Sequence, residues 1–593
     1  MAKKQRPKAE APVEFIPAIW PATLMGLVFL LVEIVFLPGG GSAFRLPKEA
    51  IAVSGILAVV ALGLSARWRN AQLPVPRGLV VATLVALPVL QLTSSLWTAD
   101  TNRALATAAI SATWIAGAIW LATIEEGQRE LVITLTSIGA AISGIVLILQ
   151  AAGVPLLVIG RSAGSRFRMS GLAGNPADFA MAAVLLLPLL LVNARRHQSS
   201  WWRWLVIVIL VIAAALSQTF TGAIALAAVA LVWLIQRRSW KLWAGATAVA
   251  ILAVALAFAT GLSGRVQRQI RLLQLGDTYS LLSARADGWT AAAEMVREHP
   301  FTGVGAGHYT HAFYPSRLAW LEARSAIGRR GELATHFEWA HCDPLQLVAE
   351  LGVVGAIWLA VLVWSLFRAR PRGDPLIPLA AAAVTPFLLL HYPTHVAVGM
   401  VPITLVLAHI LAAQDTVTLP KLTGIWRGMV PIILIGIAVA GSIWQMRRVA
   451  LDVWRANLER GLAYAAASTE TIRRTQLASA VEWQILERIE RLPEAAPVLW
   501  RIVGKSRLAR GDAREAEEAF RMANSLWPHE EAELGLGLAL ADQGRRSEAM
   551  VLLGRVCRTN PALTNEIADQ DLRRALEDLN RARRRAGERA TEQ

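Results

Sequence analysis

The chain has 593 residues, of which 55% are hydrophobic and only 17% charged, and its mean hydropathy is +0.45. A soluble domain of this size has too little interior to hide so much apolar side chain, so most of it is expected in a bilayer. The formal net charge of +16 fits loop arginines that set topology and face anionic lipid, and without any nucleic-acid motif it predicts no nucleic-acid partner. The two cysteines, Cys342 and Cys557, form no metal-ligand spacing, so neither a disulfide framework nor a zinc site is expected.

In chain order, a basic start (residues 1–16) precedes a long apolar run with no small-residue cleavage site, which reads as a retained first span behind a cytoplasmic N-terminus. Apolar runs near the ~20 residues that a crossing needs fall at 17–37, 50–65, 78–95, 105–123, 131–151, 175–193, 203–217, 219–235, 241–262, 343–367, 375–391, 396–413 and 428–446. They predict an all-α polytopic bundle of about thirteen spans over residues 17–447. The basic connections "ARWRNAQLPVPR" (66–77), "ARRHQSSWWR" (194–203), "QRRSWK" (236–241) and "RARPRGD" (368–374) mark the cytoplasmic side by the positive-inside rule. The periplasmic side then receives 160–176, the turn "SQTFTG" (217–222), a large loop at 263–342 and "HYPTH" (391–395).

That outer side carries the unusual residues. Arg161, Arg166 and Arg168 oppose the topological rule, and they face either lipid headgroups or an anionic ligand. Residues 280–299 have helical composition, and Arg285 and Trp289, four apart, share a face. The following "PFTGVGAGHY" (300–309) is a glycine turn that could cradle a phosphate or pack closely on a helix. It lacks the strand–glycine–helix context of a Rossmann or Walker loop. In "EWAHCDPLQLVAELGVVG" (338–355), Pro344 suits the first turn of a helix and Asp343 its N-cap, which puts His341 on a loop at the mouth of a span. Gln346 and Glu350 stand about one and two turns inside that span, where an ionisable group marks function. His391 and His395 flank Pro393 at another outer helix end, where an imidazole could satisfy backbone groups that the proline frees.

The segments "RMSGLAGNP" (168–176, with Asn175), "RADGW" (285–289), "PFTGVGAGHY" and "HCDPLQLVAELGVVG" (341–355), in this order, resemble the O-antigen ligase and polymerase superfamily of bacterial inner-membrane glycosyltransferases. The resemblance covers residues 20–415. It implies transfer of a glycan from a polyprenyl diphosphate to a lipid-linked or glycolipid acceptor by inverting displacement, with no metal and no cofactor. It maps general-base work onto His341 and diphosphate binding onto Arg168 and Arg285, with Arg161 or Arg166 as further cations; arginine suits a diphosphate because its planar fork matches phosphate oxygens. The family usually has Asn after the histidine, where Cys342 stands here, and many members have Ser-Arg in the segment matching "SQTFTG", where Gln218 and Thr219 stand. A polymerase that joins two lipid-linked repeats is the alternative within the class. A transporter or flippase is the alternative outside it, but paired interrupted spans and half-to-half symmetry are not evident.

From 448 the chain turns polar, and Gly504, Gly511, Ala516, Phe520 and Pro528 recur 33 residues later as Gly537, Gly544, Ala549, Leu553 and Pro561. The pattern resembles the tetratricopeptide repeat. It implies a helical-repeat domain over 448–593 that binds a protein partner or stacks on the membrane domain. Thirteen spans would make this domain periplasmic.

Overall fold

The computed structural model describes residues 19–70, 72–157, 169–196, 201–239, 263–277, 282, 285–324, 337–369 and 373–591, and these are mostly helical. The membrane part comprises α1 (Trp20–Ile34), α2 (Arg45–Asn70), α3 (Leu79–Thr93), α4 (Thr101–Thr123), α5 (Glu126–Ala151), α6 (Pro176–Arg196), α7 (Trp201–Leu216) and α8 (Phe220–Arg237). After α9 (Ser263–Gln274), α10 (Arg285–Glu298) and α11 (Tyr309–Ala323) come α12 (Asp343–Ala369), α13 (Leu376–Leu390), α14 (Ala397–Ala412) and α15 (Trp426–Ala467).

The expectation of thirteen spans is corrected. Among the described residues eight helices are long and apolar enough to cross a membrane: Arg45–Arg69, Leu79–Leu96, Thr101–Thr123, Glu126–Ala151, Pro176–Ala194, Phe220–Arg237, Asp343–Ala369 and Trp426–Ala467. Four of the predicted spans are instead the apolar helices α1, α7, α13 and α14, of 15 or 16 residues each. At 1.5 Å per residue these reach roughly 22–24 Å against a hydrocarbon core of about 30 Å. Hydropathy alone could not show this, because it runs on through the connections that end these helices. The predicted span 241–262 lies outside the described residues.

α6 is the centre of the bundle. Its sequence, "PADFAMAAVLLLPLLLVNARR", is apolar on every side, as a helix must be when neighbours enclose it completely. It packs against α5, α7, α8, α13 and α14. Close crossings use small residues: a Cβ on Gly139 of α5 would sit 2.7 Å from the Leu30 carbonyl oxygen of α1, so the two backbones touch where any side chain would separate them.

One end of the bundle gathers the basic connections. There Trp68 Nε1 donates to Pro420 O at 2.8 Å, Gln236 Nε2 to Pro375 O at 3.1 Å, and β1 (Leu73–Pro76) pairs antiparallel with β2 (Thr416–Leu419) in the register Leu73↔Leu419. The opposite end gathers the starts of α2, α4, α6, α12 and α14 with α10 and α11. α15 connects the two ends. Its 42 residues extend about 63 Å, from the basic end to the opposite one, where Asp452 accepts from Ser42 N at 2.8 Å and Arg460 donates to Gly39 O at 2.8 Å.

The tail then continues in α16 (Thr471–Leu486), α17 (Ala496–Arg510), α18 (Ala513–Leu526), α19 (Glu530–Asp542), α20 (Arg546–Thr559) and α21 (Gln570–Thr591). Two successive pairs repeat one crossing. A Cβ on Gly504 would meet the Phe520 ring at 2.8 Å, and one on Gly537 would meet Leu553 Cδ2 at 2.6 Å.

Candidate active site

At the end opposite the basic connections a charged cluster is buried among aromatic rings. Asp178, in the first turn of α6, has a side chain only 1% exposed. It accepts from Arg45 Nε at 2.9 Å and lies 3.8 Å from His391 Nε2. A carboxylate is favoured there by the amides of the helix start. Arg45, the first residue of α2, also donates to the Tyr392 hydroxyl, and its guanidinium lies 5.0 Å from the Trp339 ring centre and 5.1 Å from that of Tyr392. The aromatic faces thus help to hold the cation. Its side chain is still 31% exposed, so one edge is open to a ligand.

His341 stands beside this group. Its ring centre is 4.8 Å from that of Tyr392 and 5.9 Å from that of His391, both edge-on. Its backbone has φ +55°, a left-handed conformation uncommon outside glycine and characteristic of functional turns. Nδ1 is buried without a hydrogen-bond partner. Burial, then His391, Arg285 and Arg45, push its pKa down to about 2, below the near-neutral value expected of a general base. His391 is held well below its ordinary value by burial, Arg285 and Arg45.

Arg285 therefore lies within electrostatic reach of both histidines. It begins α10, its Nη1 donates to Leu282 O at 3.2 Å, and its Nε is buried without a partner. No carboxylate pairs with it among the described residues, and burial lowers its pKa. A desolvated, unpaired guanidinium is a costly arrangement that an anion would relieve.

The His341 loop is braced from below. Gln346 Oε1 accepts from Ala340 N at 2.9 Å, and its Nε2 donates to Glu350 Oε1 at 3.0 Å. Glu350 Oε2 accepts from Gly307 N at 2.9 Å. The glycine turn lies directly on the backbone of α12: Val304 N donates to Ala349 O at 3.0 Å and Gly305 N to Glu350 O at 2.8 Å. α12 opens to receive it at Gly352, whose φ of 62° and ψ of −149° are reached almost only by glycine.

The sequence-predicted residues divide accordingly. His341, Arg285 and His391 meet in one cluster. Trp289 sits one turn beyond Arg285, its indole N–H buried without a partner. Asp343 does not cap its own helix: it accepts from Thr394 N at 2.9 Å and Thr394 Oγ1 at 2.6 Å and lies 3.6 Å from His395, while Gln346 N bonds to Cys342 O. His391 and His395 thus face carboxylates rather than backbone freed by Pro393. Burial lowers His395 to about 4. Gln346 and Glu350 serve as braces and are both buried. The glycine turn packs on a helix backbone, the second of its two expected uses. Asn175 accepts from Ala177 N at 3.0 Å at the start of α6. Arg161, Arg166 and Arg168 lie outside the described residues.

Arg45, Asp178, Tyr392 and Trp339 were missed. Asp178 had a legible signal, an ionisable residue inside an apolar span, and Arg45 had another, an arginine on the side poor in basic residues. Among the described residues no group of three His, Cys, Asp or Glu is placed to hold a metal.

These features define a polytopic membrane protein with an arginine–histidine–aromatic site at one end of its bundle. The family model for O-antigen ligase matches residues 204–360, a stretch that contains Arg285, the glycine turn, His341 and Glu350. Over that stretch the chain is similar to the O-antigen ligase family. Arg45, Asp178, His391 and Tyr392 lie outside the matched stretch. No curated protein matches the chain.

Proposed function

We propose that the chain transfers a glycan from a polyprenyl diphosphate to an acceptor hydroxyl at the periplasmic face of the inner membrane, as an O-antigen ligase does. The carrying observation is the convergence of unpaired Arg285 and half-open Arg45 on the unpartnered imidazole of His341. Diphosphate oxygens take the two guanidiniums, with Arg161, Arg166 and Arg168 as further cations. The acceptor hydroxyl gives its proton to His341 as its oxygen bonds the anomeric carbon. The bond from that carbon to the diphosphate oxygen breaks on the opposite face, which inverts the centre. The departing diphosphate remains on the arginines, so charge is stabilised without a divalent cation.

Burial is the first cause of the depressed His341 pKa, and Arg285 and Arg45 add to it. A diphosphate neutralises the share that Arg285 and Arg45 contribute, so donor binding raises the imidazole pKa. The tail reads as a tetratricopeptide-like protein-binding domain, supported by the repeated glycine crossings and by a cavity of about 450 Å³ between α15 and α17, lined by Leu462, Val498, Arg501, Lys505 and Glu531.

The test is donor use by Arg285→Ala and Arg285→Lys. Alanine should abolish tight donor binding, and lysine should restore it only in part, because an ammonium supplies charge without the planar fork. Unchanged donor binding by both variants sinks the assignment. Surface-glycan analysis of a deletion strain separates the two acceptors: long lipid-linked chains accumulate without a ligase, single repeat units without a polymerase.

A further inference from the structure

The tail is docked on the same end of the bundle as the site, through an aromatic stack and a buried hydrogen bond. Trp527, in the turn between α18 and α19, stacks on His311 of α11, with ring centres 5.1 Å apart and planes 12° apart. Arg103 of α4 lies 4.9 Å from the centre of the same indole. One turn further along α11, the Tyr314 hydroxyl donates to Glu533 Oε2 at 2.7 Å, and both residues are buried. Arg555 holds the same carboxylate at 3.4 Å, and Arg558 reaches Glu322 at 3.5 Å. A half-buried aromatic anchor beside a buried charged hydrogen bond is the kind of contact that concentrates binding energy. Burial, Arg103 and His308 lower His311 to about 4, so it meets the indole as a neutral ring at physiological pH.

From this contact a continuous set of links reaches the base. The His311 ring centre is 5.9 Å from that of His308. His308 Nδ1 donates to Ala306 O at 2.9 Å, and its Nε2 accepts from Asp100 N at 3.1 Å. Gly307 N donates to Glu350, Glu350 accepts from Gln346, and Gln346 accepts from Ala340 N, the residue before His341. We infer that the tail is a positioning part of the catalytic unit, with the 525–533 segment clamping α11 so that the glycine turn and the Glu350–Gln346 brace hold the His341 loop in register. This rests on the proposed role of His341. Trp527, Tyr314 and Glu533 touch no reacting atom, so they are positioning residues. The tail is then more than a tether for a partner: a partner that shifts it alters turnover. Arg501 and Glu531 line the tail cavity, and Arg501 lies 5.8 Å from the Trp527 ring centre, so an occupant of that cavity adjoins the clamp.

The experiment uses the full-length protein in proteoliposomes with a polyprenyl-diphosphate glycan donor and compares Trp527→Ala, Trp527→Phe, Tyr314→Phe and a control, Val551→Ala, at an exposed tail position. Two readouts are taken: transfer kinetics, and hydrogen exchange at the Gly307 and Ala340 amides. Trp527→Ala should lower kcat about 100-fold, the scale of a 1 Å misplacement, with donor KM within about twofold of wild type. It should also speed exchange at both amides, and phenylalanine should restore most of each. Tyr314→Phe, which removes one hydrogen bond, should move both readouts the same way by less, and it serves if the alanine variant fails to fold. Wild-type exchange at both amides in Trp527→Ala and Tyr314→Phe overturns the inference. Accelerated exchange in a protein whose wild type transfers no glycan keeps the clamp and removes the proposed reaction instead.

Discussion

Replacing Gly303 with alanine tests whether the glycine turn is a brace or a cradle. Gly303 has φ +65°, and a Cβ there would lie 2.3 Å from the Glu350 carbonyl carbon, 2.4 Å from its oxygen and 2.5 Å from Leu351 N. All three atoms are backbone, so no side chain can swing aside. To reach an ordinary contact the turn must retreat about 1 Å, which breaks the 3.0 Å and 2.8 Å bonds from Val304 N and Gly305 N to α12. A left-handed alanine costs about 1–2 kcal/mol and each lost bond about 0.5–1.5 kcal/mol, so the loss is about 2–5 kcal/mol. The same displacement reaches His341 through Glu350 and Gln346 and should lower kcat about 100-fold. Thermal unfolding followed by tryptophan fluorescence in detergent, together with transfer kinetics, checks both. Gly428→Ala is the control, since nothing lies within 4 Å of its added Cβ. Wild-type melting and turnover in Gly303→Ala would refute the close packing and favour a turn with room for a ligand.

Three further outcomes follow from the same geometry. Asp178→Asn keeps the shape but removes the charge that pairs with Arg45 and faces His391; donor KM should rise about tenfold, since charge-assisted bonds are roughly twice as strong as neutral ones, and unchanged KM would detach Arg45 from donor binding. Stability should fall as pH drops below about 6.5, because the unfolded chain then takes up protons that His311 and His395, both lowered to about 4, and His341, lowered to about 2, refuse in the fold; a melting temperature higher at pH 5 than at pH 7.5 contradicts this. The acid limb of kcat should lie at higher pH than that of kcat/KM, because bound diphosphate raises the His341 pKa, and coincident limbs would show that the donor leaves the imidazole untouched.

Much of the site was legible in short motifs. Pro344 and the apolar run after it located His341 at a helix mouth, and the spacing of Arg285 and Trp289 anticipated one helical face. Intramembrane Gln346 and Glu350 were singled out by their cost, and in the fold they brace the His341 loop. What stayed hidden was tertiary. Arg45, Asp178 and Tyr392 come from three distant segments that meet only because α6 lies at the centre of the bundle. The span count failed for a different reason: hydropathy measures how apolar a run is, whereas crossing depends on where the helix ends, and α1, α7, α13 and α14 end after 15 or 16 residues. The 33-residue recurrence in the tail gave its crossings but not its dock, since nothing in the repeat reveals that Trp527 meets His311.

The central claim is that His341, within electrostatic reach of Arg285 and Arg45, removes the acceptor's proton while the arginines carry the diphosphate. Purified protein reconstituted with a polyprenyl-diphosphate glycan and a glycolipid acceptor, in the presence of a chelator, tests it directly. Wild type should form the transferred product, whereas His341→Ala should bind the donor normally and turn over about 10²–10⁴ times more slowly. Equal turnover by His341→Ala, or wild-type transfer that stops with the chelator, would contradict the account.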